Sequence, residues 1–220
     1  MFAINHAAAA LLVKRRFPTA PLIALLVAAQ SMEFLWVALN YLGVERTVTE
    51  PVVRYVGDIH LAYMPYSHSI ATMLLAGVAA TIVWAAPGAR RLGLAIGLAV
   101  VSHLVLDLAT HDGDIVPAPF IDGDGYGTYL YARHPPLAFL VELGFGVWCW
   151  RVYRGGRALL AVVVLFNLAN LTLFFPSLGG PEGLLAGRPM LLTTIILLQI
   201  VVTLAAVWWA ATPRDATAAT

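Results

Sequence analysis

Six long apolar stretches constrain this chain more than anything else in it. They are Pro21–Leu42, His68–Ala86, Leu92–Ala109, Pro135–Val152, Ala158–Phe175 and Met190–Ala211. Each approaches or exceeds the roughly 17 residues that an α-helix needs to cross a bilayer. In hydrocarbon every backbone N–H and C=O must be paired internally, so such stretches fold as helices. The chain has 220 residues, 60% hydrophobic and only 11% charged, against roughly 25% charged in a soluble domain. The expected fold is therefore an all-α polytopic membrane bundle. It has about six transmembrane helices in one integral-membrane domain over residues 1–211, with a disordered polar tail over 212–220. Phe2–Val13 is apolar and helical in character, but too short to span. It reads as an interfacial, re-entrant or shallow helix.

Loop charge orients that bundle. Lys14, Arg15 and Arg16, then Arg90 and Arg91, then Arg151, Arg154 and Arg157 fall in alternate loops, which the positive-inside rule places in the cytoplasm along with the C-terminus. The acidic loops Gly43–Ser67 and Thr110–His134 then face outward. The N-terminal order, apolar before basic, is the reverse of a secretory signal. A net charge of +1 gives no case for a nucleic-acid partner. The lone Cys149 lies in an apolar segment and reads as packing.

Ionisable residues inside apolar segments are costly, at least about 2.5 kcal/mol for a central Asp. His103 and Asp107 lie four apart, which stacks an imidazole and a carboxylate on one helix face. Five of the six histidines fall on the outward half, and Glu33 lies within the first long segment. Imidazole with carboxylate suits zinc, and also manganese or iron. The plainer reading of His103 and Asp107 is a polar pair joining helices. His60 and His134 read as interfacial, and Asn167 and Asn170 as interhelical hydrogen bonds. Glu142 reads equally as an interhelical partner. Asp122 and Asp124 read as turn residues, since IDGDGYG lacks the calcium-loop pattern.

Several short motifs occur in a characteristic order: NHAAAALLVKRR near the start, Glu33 in the next helix, YSHS at Tyr66–Ser69, and SHLVLDLATHDG at Ser102–Gly113. In these the first 115 or so residues resemble bacterial membrane-bound metal-dependent hydrolases, the inner-membrane group that includes a LexA-regulated member. The matching positions are His6, Glu33, His68, His103 and Asp107. The chain departs from the family at Ser31-Met32-Glu33-Phe34, where the family has Leu-Pro-Asp followed by a second Asp, and at Ser67, where it has Thr. An Arg often found upstream of the family's histidine motif is also missing. The resemblance implies an inner-membrane protein with a divalent transition metal, zinc first. His68, His103 and Asp107 would be primary ligands, with Glu33 and His6 as ligands or in support, and Glu33 as the group that activates water.

Two functions follow as expectations. One is a metal-dependent hydrolase acting on a lipid-borne ester or phosphoester at the outer leaflet. Ser67, Ser69 and Ser102 would then orient ligands or substrate, and Arg54 or Arg133 would meet a phosphate. The other is a permease using the same His, Asp and Glu residues as a metal or proton relay. The orientation is testable on its own. A Gly123→Cys variant is expected to react with an impermeant thiol reagent from outside, and labelling only after permeabilisation would reverse the assignment.

Overall fold

The computed structural model describes residues 1–86, 88–121 and 125–212. Asp122, Gly123, Asp124 and the tail beyond Thr212 lie outside that set. The described chain is mostly helical. In order it forms α1 (Ala3–Arg16), α2 (Leu22–Ala29), α3 (Ser31–Tyr41), β1 (Arg46–Thr49), β2 (Ile59–Tyr63), α4 (Ile70–Trp84), α5 (Arg90–Leu108), α6 (Leu130–Arg133), α7 (Pro135–Tyr153), α8 (Arg157–Leu168), α9 (Leu171–Phe174) and α10 (Pro189–Ala211).

Two expectations need correction. The fold is not wholly helical: β1 and β2 pair antiparallel, with Val48 opposite His60 and Thr49 opposite Ile59. The Arg46–Thr49 run, with two threonines and a valine, favours a strand and was masked by its place in a polar loop. Nor are there about six spans. Among the described residues only α5 and α10 are long and apolar enough to cross a membrane, or three spans if the bent pair α2 and α3 counts as one.

The other stretches fall short for local reasons. Capped by Ser69, whose hydroxyl accepts from the Thr72 N–H, α4 runs for 15 residues, about 22 Å at 1.5 Å per residue, against a core of about 30 Å. The span expected over Ala158–Phe175 breaks between α8 and α9, where Asn167 and Asn170 bond back to the Val163 and Phe166 carbonyls. Length is not the limit for α7, but Glu142, Arg151 and two leading prolines dilute its apolar character.

The interior is built around α1, a helix of only 14 residues whose first nine are buried. Its alanines let neighbouring backbones close in: Ala7, Ala8 and Ala10 have no exposure. One end of α1 is tied by Asn5, whose Nδ2 donates to Glu142 Oε2 at 2.6 Å and Asn167 Oδ1 at 3.0 Å. Phe2 bonds Glu142 while Asn5 lies against Gly146, so contacts advance along both helices together and α1 and α7 run parallel. Met1 lies against Asp107 at the far end of α5, so α1 and α5 run antiparallel. The Lys14–Arg16, Arg90–Arg91 and Arg151–Arg157 clusters therefore share one end of the molecule. Tyr153, whose hydroxyl donates to the Ala211 carbonyl at 3.5 Å, brings the end of α10 there too.

Glycines set the α4–α5 contact. A Cβ at Gly97 would overlap the Thr81 hydroxyl, and one at Gly77 the Val101 side chain. Gly93 and Gly97 lie one turn apart on α5, the spacing that lets two helix backbones touch. A Gly97→Leu variant is expected to lose at least about 1–3 kcal/mol by overpacking, seen as a lowered thermal midpoint in detergent. An unchanged midpoint would show that this contact does not hold α5 in place.

Candidate metal centre

Six ionisable side chains from four parts of the chain meet at the end of the bundle away from the basic clusters. His6 comes from α1, Glu33 from the first turn of α3, His68 from the turn before α4, His103 and Asp107 from α5, and His111 from the turn just beyond it. All five ligand positions anticipated from the sequence are brought together. His6, His68, His103 and Asp107 are almost wholly buried.

Tautomers follow from the hydrogen bonds. The break at Gln30 between α2 and α3 leaves the Ala29 carbonyl available, and it lies 3.0 Å from His103 Nδ1. A carbonyl only accepts, so Nδ1 carries a hydrogen, and in the neutral ring Nε2 presents a lone pair. His68 is fixed through a longer chain. The Glu45 carboxylate accepts from the Tyr66 and Ser67 N–H groups at 2.9 and 2.8 Å and from the Ser67 hydroxyl at 2.6 Å. With its hydrogen committed to Glu45, the Ser67 oxygen accepts from His68 Nδ1 at 2.7 Å. His68 Nε2 is then also a lone pair.

These two bare nitrogens face each other at 3.3 Å. Asp107 Oδ2 lies 3.0 Å from His103 Nε2 and 3.7 Å from His68 Nε2, and it has no hydrogen-bond donor. Glu33 Oε1 lies 3.8 Å from both nitrogens. A shared proton would satisfy the two imidazoles alone. Three electron-pair donors, His68 Nε2, His103 Nε2 and Asp107 Oδ2, lie 3.0–3.7 Å from one another and fit a metal better, with Glu33 Oε1 beside them. Zinc bound at about 2.0–2.2 Å sets tetrahedral neighbours roughly 3.3–3.6 Å apart, close to the spacings observed. The Ala29 carbonyl and the Ser67–Glu45 chain then serve as the outer partners that orient metal-binding imidazoles.

On the other side of Asp107, Oδ1 lies 3.2 Å from His6 Nε2, 3.6 Å from His111 Nε2 and 2.6 Å from the Met1 amine. The rings of His6 and His103 stack with centroids 3.9 Å apart. Burial works against a charge on His111, but Asp107 and Asp114 outweigh it and raise its pKa above the ordinary value.

Glu33, His68 and His111 also line a cavity of about 190 Å³, whose other walls include Trp36, Leu61, Leu173, Leu192, Ile196 and Ile200. One end of the cavity is thus the charged cluster, and the rest is largely aliphatic. Toward the basic end the molecule is dry instead: Ala10, Leu11, Leu25, Leu26, Ala95 and Ala99 are buried in a single apolar cluster.

The other candidates lie elsewhere. His60 pairs with Glu50 on the exposed hairpin at 2.9 Å. His134 is exposed at the start of α7. Glu142 accepts from Asn5, the Phe2 N–H and the Tyr131 hydroxyl, which makes it an anchor for α1. Ser69 caps α4, and Ser102 bonds the Ala99 carbonyl. Arg54 is held by Asp58, and Arg133 lies over the Tyr129 ring. Sequence reasoning left His111 without a role, although it continues the four-residue spacing of His103 and Asp107. It missed Glu45, for which no local signal exists. No family model, curated protein or solved structure matches this chain.

The orientation of His68 can be tested by Ser67→Ala, which strips its outer partner. Metal affinity is expected to fall about ten- to a hundredfold, measured by titration against a competing chelator. Unchanged affinity would show that something else fixes the ring.

Proposed function

We propose that this chain is a membrane-embedded, metal-dependent hydrolase of a lipid-borne ester or phosphoester, with zinc the best-suited ion. The observation that carries the reading is the pair of bare, buried Nε2 atoms of His68 and His103, facing each other beside two carboxylates. A metal held by His68, His103 and Asp107 supplies Lewis-acid polarisation of an ester oxygen and lowers the pKa of water to about 7.

The chain's own residues do the rest. Glu33 faces the cavity, where its carboxylate accepts a proton from water as that water's oxygen bonds to the ester carbon or phosphorus. The ester C–O or P–O bond breaks, and the departing alcohol leaves with the proton that Glu33 took from the water. The apolar walls contributed by Trp36 of α3 and by Leu192, Ile196 and Ile200 of α10 accept an acyl or prenyl chain and exclude bulk water. The exposed apolar surface of α4, α5, α7 and α10, with Leu75, Ile82, Val105, Leu140 and Leu198 all outward, fits lipid contact. The shared basic end favours placing the centre toward the outer leaflet of a bacterial inner membrane.

The permease reading is weaker. A relay needs a polar path to the basic end, and past the knot of Asn5, Glu142 and Asn167 the neighbouring packing is alanine and leucine. Activity is expected to rise through about pH 7 and to vanish with chelator. His103→Ala should lose both metal and turnover, whereas Glu33→Gln should keep metal and lose turnover by about 10²–10⁴-fold. If no ester is cleaved, but vesicles carrying the protein pass metal ions or protons in a Glu33-dependent way, the permease reading replaces this one.

A further inference from the structure

Asp107 faces two ways, and the centre described above uses one of them. Its Oδ2 meets His103 and His68. Its Oδ1 meets His6 Nε2 at 3.2 Å and His111 Nε2 at 3.6 Å. His6 has no exposure, and neither of its ring nitrogens has a hydrogen-bond partner. A neutral buried imidazole whose Nδ1 has no partner among the described residues, and whose Nε2 has only the Asp107 carboxylate beside it, is costly unless something takes its lone pair. His111 Nδ1 lies 3.3 Å from Asp114 Oδ1. Donation to that carboxylate leaves Nε2, in the neutral ring that a bound cation selects, as a lone pair aimed at Asp107, the carboxylate–histidine arrangement that orients metal ligands. His103 also lies within reach of His6 and Asp107. However, Nε2 is its one free nitrogen and can serve only one ion, and that nitrogen lies beside Oδ2 and His68.

We infer that His6, His111 and Asp107 Oδ1 hold a second divalent cation, bridged to the first through the Asp107 carboxylate, and that the substrate head is a phosphoester binding both. This rests on the metal-centre reading above. Two ions sharing a carboxylate sit about 3.5–4 Å apart and suit a phosphate, whose oxygens reach both. The Met1 amine, 2.6 Å from the same Oδ1, is the rival source of positive charge. The two accounts differ in the number of metal ions bound.

The test is metal stoichiometry on the full-length protein purified in detergent. After zinc loading and removal of free metal, wild type is expected to hold two ions per chain, and His6→Ala and His111→Ala one each. Manganese-loaded wild type should give the spin-coupled electron paramagnetic resonance spectrum of a bridged pair, a readout that needs no variant to fold. One ion in wild type with an uncoupled spectrum overturns the second site and leaves the first standing. No ion in wild type overturns both. Two ions in both variants would reject these ligands. Inorganic phosphate is expected to bind the two-ion protein at least about tenfold more tightly than the one-ion variants, about 1.4 kcal/mol. Equal binding would reject the phosphoester assignment.

Discussion

Two neutral imidazoles, each with its hydrogen turned away, do not rest with bare nitrogens 3.3 Å apart in a buried site without positive charge between them. Everything around His68 and His103 maintains that confrontation. The bend at Gln30 releases the Ala29 carbonyl that fixes one ring, and Glu45 acts through Ser67 to fix the other. Removing the hydrogen bonds would let either ring rotate its hydrogen inward and satisfy the pair trivially. The arrangement is informative because both outer partners are acceptors in context, so in the neutral rings the inner nitrogens have no hydrogen to share.

The fold serves that geometry by bringing a short helix into the middle. With alanine at four consecutive positions, Ala7 to Ala10, α1 fits between longer helices and delivers His6 to the cluster. The polar knot of Asn5, Glu142, Asn167 and Tyr131 sets its depth. Opposite, Gly77, Gly93 and Gly97 allow α4 and α5 to touch along their backbones. This holds the turn carrying His68 near the far end of α5. Cavity, cluster and apolar plug then follow one another from one end of the molecule toward the other, which suits a site reached from one side.

Much of the site was legible in the sequence, and much less of the fold. His103 and Asp107 share a helix, so their spacing alone placed them together. His6, Glu33 and His68 needed the resemblance in motif order, because nothing local relates them. Glu45 was invisible, since a Glu in a polar loop looks like any solvated acid until the chain folds back on it. The span count failed because hydropathy reads composition and not helix breaks. Asn167 and Asn170 interrupt one stretch, Ser69 delays the start of another, and Glu142 belongs to an internal anchor. The hairpin of β1 and β2 was missed because its β-branched run is short and lies in a polar loop among charges.

The central claim is that a metal ion lies between His68 and His103. It is tested most directly by an anomalous difference map from crystals of the zinc-loaded protein, collected on both sides of the zinc absorption edge. A peak within about 2.0–2.2 Å of both Nε2 atoms and of an Asp107 oxygen is the predicted result. Two rings joined by an ordinary hydrogen bond, with no peak between them at full zinc loading, would contradict the account.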